Sequence, residues 1–207
     1  MTFSRDEKYF LLRRLHSLAG IFPIGAFFLE HIYSNAVSLF GPHAYNQMVE
    51  KLMQIPYLPF IEIGVIGIPI LFHVVLGIII YISSKSNVLK YRHFNNWRYT
   101  LQRITGIIGI LYIGYHVWET RIAAALQGQH VSYEWMQRLL QEPGMFWFYL
   151  VGTISLTFHF TNGIWSFLIT WGVTISPRSQ KISTYVCGAM FFVLSVVWVQ
   201  ILVNFVR

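Results

Sequence analysis

Cysteine and charge are what this chain has least of. A single cysteine, Cys187, stands among 207 residues. One cysteine excludes an internal disulfide, a cysteine-ligated iron–sulfur cluster and a C-x-x-C-H haem attachment built by this chain alone. A redox centre held here must be bound through histidine and without a covalent link. Charged residues are 11% of the chain against 55% hydrophobic, the composition of a membrane protein. The H-x-x-x-H and H-x-x-H-H boxes of membrane di-iron desaturases are missing as well.

Long apolar runs are what is abundant. About 20 apolar residues cross the hydrocarbon core as a helix. Five segments reach that length, at about 15–39, 57–83, 101–125, 146–173 and 182–206. The first is too long for the apolar part of a secretory signal, Asp6 and Glu7 spoil a basic leader, and no small-x-small cleavage site follows. It reads as a retained span. Of the fifteen basic residues, eleven fall in three places: Arg5, Lys8, Arg13 and Arg14; Lys85, Lys90, Arg92, Arg98 and Arg103; Arg178 and Lys181. Alternating loops rich in Lys and Arg are the positive-inside signature, so the N-terminus is expected in the cytoplasm and Arg207 outside. The net charge of +7 then serves orientation and contact with anionic lipid or a cytoplasmic partner. Nucleic acid is not an expected partner.

Four histidines lie deep in the first four runs, and their spacing repeats. His31 and His73 are 42 residues apart, His116 and His159 are 43 apart, and the two sets are offset by 85 and 86. An ionisable side chain inside a span is costly and needs a reason. The stretches around His73 and His159 both read F-H-x-x-x-G-I, and Arg14-Leu15…Gly20-Ile21 is matched by Arg103-Ile104…Gly106-Ile107. Two related halves, spans 1–2 and 3–4, are expected, with the fifth span added. Gly77 and Gly163, four residues after their histidines, and Gly20 and Gly109, near whole turns before theirs, are expected either to leave room for a flat macrocycle or, each taken alone, to be small-residue helix-packing positions.

Depth along the helices places His31 and His116 together in the outer half and His73 and His159 together in the inner half, about 12 Å apart. The expectation is two haems, each held by two histidines. A cofactor-free transporter is the alternative, but one that moves protons or metals would add carboxylates at the same depth. Here Glu30, Glu50, Glu62, Glu119, Glu134 and Glu142 gather toward the outer ends. Two imidazoles leave no open coordination position, so such a haem carries electrons and does not bind oxygen. Ser155 and Thr161 are candidates for fixing the histidine tautomers. Arg14, Arg103, Arg178 and Ser179 are candidates for the inner haem's propionates, with Arg121 for the outer one and His16 at the inner border. His43, His93 and His130 are expected in solvated loops.

The stretches Arg13-Arg14-Leu15-His16-Ser17, Gln102-Arg103-Ile104-Thr105-Gly106, His116-Val117-Trp118-Glu119-Thr120-Arg121, Phe158-His159-Phe160 and Ser176-Pro177-Arg178-Ser179 closely resemble one family. It is the single-chain, two-haem cytochrome b subunit of succinate dehydrogenase found in Gram-positive bacteria and their relatives. The resemblance runs essentially end to end. It implies an all-α membrane protein of five transmembrane helices, four of them a haem-binding bundle. It assigns His73 and His159 to the haem near the cytoplasmic iron–sulfur subunit and His31 and His116 to the distal one. It implies a flavoprotein and an iron–sulfur protein as partners and a quinone, usually menaquinone, as electron acceptor. Relatives that run as fumarate reductases, the alternative direction, carry a glutamate where this chain has Thr157. The quinone is expected near the distal haem, with Glu30, Glu62 or Glu119 as proton relay. Glu62 is the one farthest from any obvious salt-bridge partner.

Overall fold

The structure, a computed structural model, describes residues 4–207, and every regular element in them is helical. Helix α1 (Arg5–Ile21) starts well before the apolar run because Ser4 and Glu7 form a capping box. The Ser4 hydroxyl accepts from the Glu7 amide and the Glu7 carboxylate accepts from the Ser4 amide. The first expected span is not one rod: α1 stops before Phe22-Pro23, and α2 (Ile24–Ala36) resumes after Pro23, whose missing N–H cannot continue the ladder. A 3₁₀ turn (Val37–Phe40) and α3 (Pro42–Met53) follow. A short α4 (Leu58–Ile61) runs through a π turn (Glu62–Gly67) into α5 (Ile68–Ser83). The third rod is α6 (Phe94–Val117), a second π turn (Trp118–Ala123) and α7 (Ala124–Leu126). A short α8 (Tyr133–Gln141) precedes α9 (Met145–Thr170) and α10 (Pro177–Val206).

Three of the described helical stretches are long and apolar enough to cross a membrane by length and composition: Arg5–Phe40, Leu58–Ser83 and Pro177–Val206. The third and fourth expected spans fall on α6 and α9, whose polar residues turn inward. On α9, Thr153, Thr157 and Thr161 are buried, and each hydroxyl donates to a carbonyl four residues back. The stripe thus needs no solvent. The outside is the reverse. Helix α5 buries nothing fully, and Ile68, Leu71, Val75, Ile78 and Ile82 form an exposed apolar stripe, which suits hydrocarbon and not water.

Helix α9 packs along α6 and α10, α1 packs along α5, and α1 also touches α9. The chain begins at what we call the near end. At the far end α3 and α8 fold across the bundle, a feature with no counterpart in the five-run reading. Their amphipathic pattern is short, and only Tyr133, Met136 and Leu140, at helical spacing, mark the buried face of α8. These join Ile32, Tyr45, Tyr112, Tyr149, Trp198, Ile201, Leu202 and Phe205 in the hydrophobic core. Asn46 Oδ1 accepts from the Tyr133 amide, the Tyr133 hydroxyl donates to the Asn204 carbonyl, and Asn204 Nδ2 donates to the Ser38 carbonyl. Leu140 is 2% exposed. Leu140→Ala should destabilise this cap by about 2–5 kcal/mol, measured as a lowered thermal midpoint in detergent with spectral properties otherwise unchanged.

Candidate functional site

Two pairs of imidazoles face one another inside the bundle. The rings of His73 on α5 and His159 on α9 have centres 6.2 Å apart with planes at 81°. Those of His31 on α2 and His116 on α6 are 5.7 Å apart at 76°. A metal–imidazole bond is about 2 Å long, so rings on opposite sides of one iron have centres about 6 Å apart. Among the described residues no group of three or more His, Cys, Asp or Glu side chains could hold a bare metal ion. A two-imidazole donor set fits instead a macrocycle that brings its own four nitrogens.

The near-end pair shows how the ligating nitrogen is chosen. His73 Nδ1 is 3.0 Å from the His16 carbonyl, and His159 Nδ1 is 3.1 Å from the Gln102 carbonyl. A carbonyl can only accept, so each Nδ1 carries the proton and each Nε2 keeps its lone pair. Both bonds span 57 residues, and every partner recurs 86 positions on: His16 and Gln102, Gly20 and Gly106, His73 and His159, Gly77 and Gly163. The backbone contacts that hold the two inner rings are therefore matched at the near end. The far-end histidines are offset by 85, and the one-residue difference lies on the segment where Pro23 interrupts the first rod.

Of the two expectations for the glycines, the contacts match packing. A Cβ on Gly20 would lie 2.7 Å from Cε1 of His73, and one on Gly106 3.1 Å from Cε1 of His159. These two glycines seat the histidine rings themselves. Gly77 lies under the His16 ring, Gly163 under the Gln102 amide, and Gly109 against Leu156. The tautomer partners also differ from those expected. Thr161 donates to the Thr157 carbonyl and Ser155 makes no bond to a ring; the backbone carbonyls of α1 and α6 take that role. His16 stacks on His73 with ring centres 3.9 Å apart, and its own Nδ1 is buried without a partner.

At the far end Tyr112 stacks on His116 at 5.6 Å, and the Tyr149 hydroxyl lies 3.4 Å from His116 Nδ1. Trp198 of α10 is 6.2 Å from His31, with its indole N–H buried and unpartnered. Neither Tyr149 nor Trp198 carried a motif that could have singled it out.

The remaining candidates spread between the two ends. Arg14 lies over Phe10 and Trp171. Arg103 donates to the carbonyls of Tyr81 and Ser84, capping the end of α5. Ser179 is engaged in the capping box of α10 with Ser176, and Arg178 on the same turn is exposed. Arg98, counted above with the loop cations, is in fact buried on α6. Among the loop histidines His43 is a correction: it lies on α3, exposed, 3.1 Å from Gln47. Glu62 is corrected as well. It does not stand free, because Arg121 grips one of its carboxylate oxygens from Nε at 3.1 Å and Nη2 at 2.7 Å. This ion pair ties the two π turns together, and such turns recur at functional sites. Glu119 lines a depression of about 250 Å³ with Gln127, Trp135, Arg138, Leu139 and Glu142. Glu30 is exposed on α2.

Comparison with known proteins converges on one family. The model of the family described as succinate dehydrogenase/fumarate reductase transmembrane subunit matches residues 81–198, a stretch that contains His116 and His159. The chain is also similar to the succinate dehydrogenase cytochrome b558 subunit of Bacillus subtilis (strain 168). The two are 43% identical over 200 residues, covering 97% of this chain and 98% of that one.

Proposed function

This chain belongs to the succinate dehydrogenase/fumarate reductase transmembrane-subunit family and is a multi-pass cytochrome b subunit of a bacterial membrane, and from that premise we propose that it passes electrons through two b haems to menaquinone. In this reading all five rods cross the membrane, the near end is cytoplasmic, and a flavoprotein and an iron–sulfur protein dock there. His73 and His159 hold the inner haem; His31 and His116 hold the outer one. The observation that carries the reading is the pair of opposed imidazole sets, with Nε2 of His73 and His159 left free by their carbonyl-bonded Nδ1 groups. Each haem, when bound, supplies a one-electron carrier whose two axial positions are filled.

The chain's own residues do the rest. The carbonyls of His16 and Gln102 hold the inner imidazoles in one tautomer and orientation, and Gly20 and Gly106 let the Cε1 edges of the rings approach α1 and α6. The cap of α3 and α8 shields the outer pair from water at the far end. Quinone reduction consumes two protons there, and Glu62, Glu119 and Glu30 are the carboxylates available to deliver them. Arg121 holds Glu62 in place, and Glu119 faces a solvent-connected depression. Thr157, buried and bonded to the Thr153 carbonyl, offers no ionisable group where fumarate-reducing relatives carry a glutamate, which favours the succinate-oxidising direction.

Two experiments test these roles. In membranes, succinate should reduce both haems. Ion or solute flux through proteoliposomes, with no haem signal, would favour the transporter alternative instead. Separately, Glu62→Gln or Glu119→Gln should lower succinate:quinone turnover by about 10²–10⁴, the usual contribution of a positioned acid, while haem reduction by succinate persists. Glu30→Gln should lower it least, because Glu30 is exposed on α2 and belongs neither to the Glu62–Arg121 pair nor to the depression beside Glu119. Full turnover in all three variants would place the proton donor elsewhere.

A further inference from the structure

The two halves agree in the atoms that hold His73 and His159 and part company one turn nearer the chain's start. In the second half a hydrogen-bonded chain runs to His159 from a buried cation. Arg98, 8% exposed, donates from Nε to Asn162 Oδ1 at 2.7 Å and from Nη1 to Thr184 at 3.3 Å, with its guanidinium 3.6 Å from the centre of the Trp165 ring. Asn162 Nδ2 donates to Gln102 Oε1 at 2.7 Å, and Gln102 Nε2 donates to the His159 carbonyl at 2.9 Å. Gln102 thus grips one histidine twice, through its backbone carbonyl at the ring and through its side chain at the backbone. In the first half the residues 86 positions earlier are Leu12, His16, Leu76 and Ile79. Leu12, Leu76 and Ile79 line only a small cleft of about 60 Å³. No carboxylate meets Arg98, since Glu62–Arg121 is the sole ion pair among the described residues.

We propose that Arg98, Asn162 and Gln102 form a positioning chain that fixes His159 and links it to a buried positive charge without a carboxylate partner in this chain, raising the reduction potential of the inner haem. The inference rests on the functional reading above. An electron added to an iron centre cancels one positive charge there, so a neighbouring cation favours the reduced form. Burial strengthens that interaction because the surroundings screen poorly, and charge, hydrogen bonding and burial around the ligands are among the levers that set haem potentials.

Spectroelectrochemical titration of both haems in the assembled complex tests this, comparing wild type with Asn162→Asp, Arg98→Met and Arg98→Lys. Asn162→Asp keeps the acceptor for Arg98 and the size of the side chain, but it removes the Nδ2 donor to Gln102 Oε1 and sets a negative charge against the guanidinium. At the wild-type inner midpoint, the reduced-to-oxidised ratio of the inner haem should fall by roughly tenfold in Asn162→Asp and Arg98→Met, about 59 mV for one electron. The outer haem should stay in place, and Arg98→Lys should shift the inner haem least. The isosteric Asn162→Asp carries the test should Arg98→Met fail to assemble. Two haems bound with unchanged potentials in Asn162→Asp, or an equal fall in both, overturns the positioning chain alone. A wild-type complex without haem overturns the functional reading beneath it.

Discussion

His159→Ala or His73→Ala should remove the inner haem and bring succinate:quinone turnover to background, while the chain still inserts and the outer haem still binds. Loss of a hydrogen-bond partner to a metal ligand costs about 10–100-fold in affinity; loss of the ligand itself costs more and leaves the iron with a single imidazole. His31→Ala should act differently. The inner haem should remain reducible by succinate, and electrons should stop before quinone. Exposed His43 and His130, which belong to neither pair, give the control: their alanine variants should match wild type in haem content and turnover. Haem spectra of the four variants, read beside turnover, check the pairing directly. Equal loss of both haems in His159→Ala would mean that the imidazoles do not divide into the pairs described.

Gly20→Val and Gly106→Val should empty the inner site without touching any ligand. At Gly20 the first added carbon already lies 2.7 Å from the His73 ring, and at Gly106 3.1 Å from the His159 ring. In each case the neighbour is an imidazole whose Nδ1 is bonded to a carbonyl of the same helix, so the ring cannot swing aside without losing that bond. The variants should lose most of the inner haem and keep the outer one. Gly64→Ala and Gly188→Ala, where an added Cβ meets nothing within 4 Å, should be silent. Normal inner haem in both valine variants would show that the glycines do not define the seat of the rings.

The pattern of histidines was legible in the sequence because it rests on spacing alone: an ionisable group once per apolar run, in two matched sets, lacks a cheap structural explanation. The rods themselves were legible for the same reason, since long apolar runs have few other fates. Three features of the fold and the inner pair, and the surroundings of two charged residues, were not. The break at Pro23 was visible as a residue, but it lies inside an otherwise unbroken apolar run. The far-end cap of α3 and α8 is written in short amphipathic patterns that resemble loop sequence until their partners are in place. The partners of the inner imidazoles are backbone carbonyls, which no residue type announces; only the offset of 86 between His16 and Gln102 hints at them. Glu62 and Arg98 erred in opposite directions. Glu62 looked unpaired because Arg121 is 59 positions away in sequence. Arg98 looked like a loop cation because it falls among Lys85, Lys90, Arg92 and Arg103, although α6 had already begun at Phe94 and carried it inside.

Haem content per polypeptide, measured on the complex purified in detergent together with the near-infrared magnetic circular dichroism of the oxidised iron, bears most directly on the four histidines. Two b haems per chain, both with the signature of two nitrogenous axial ligands, is the expected result. One haem, none, or two of which either has a non-histidine ligand would contradict it.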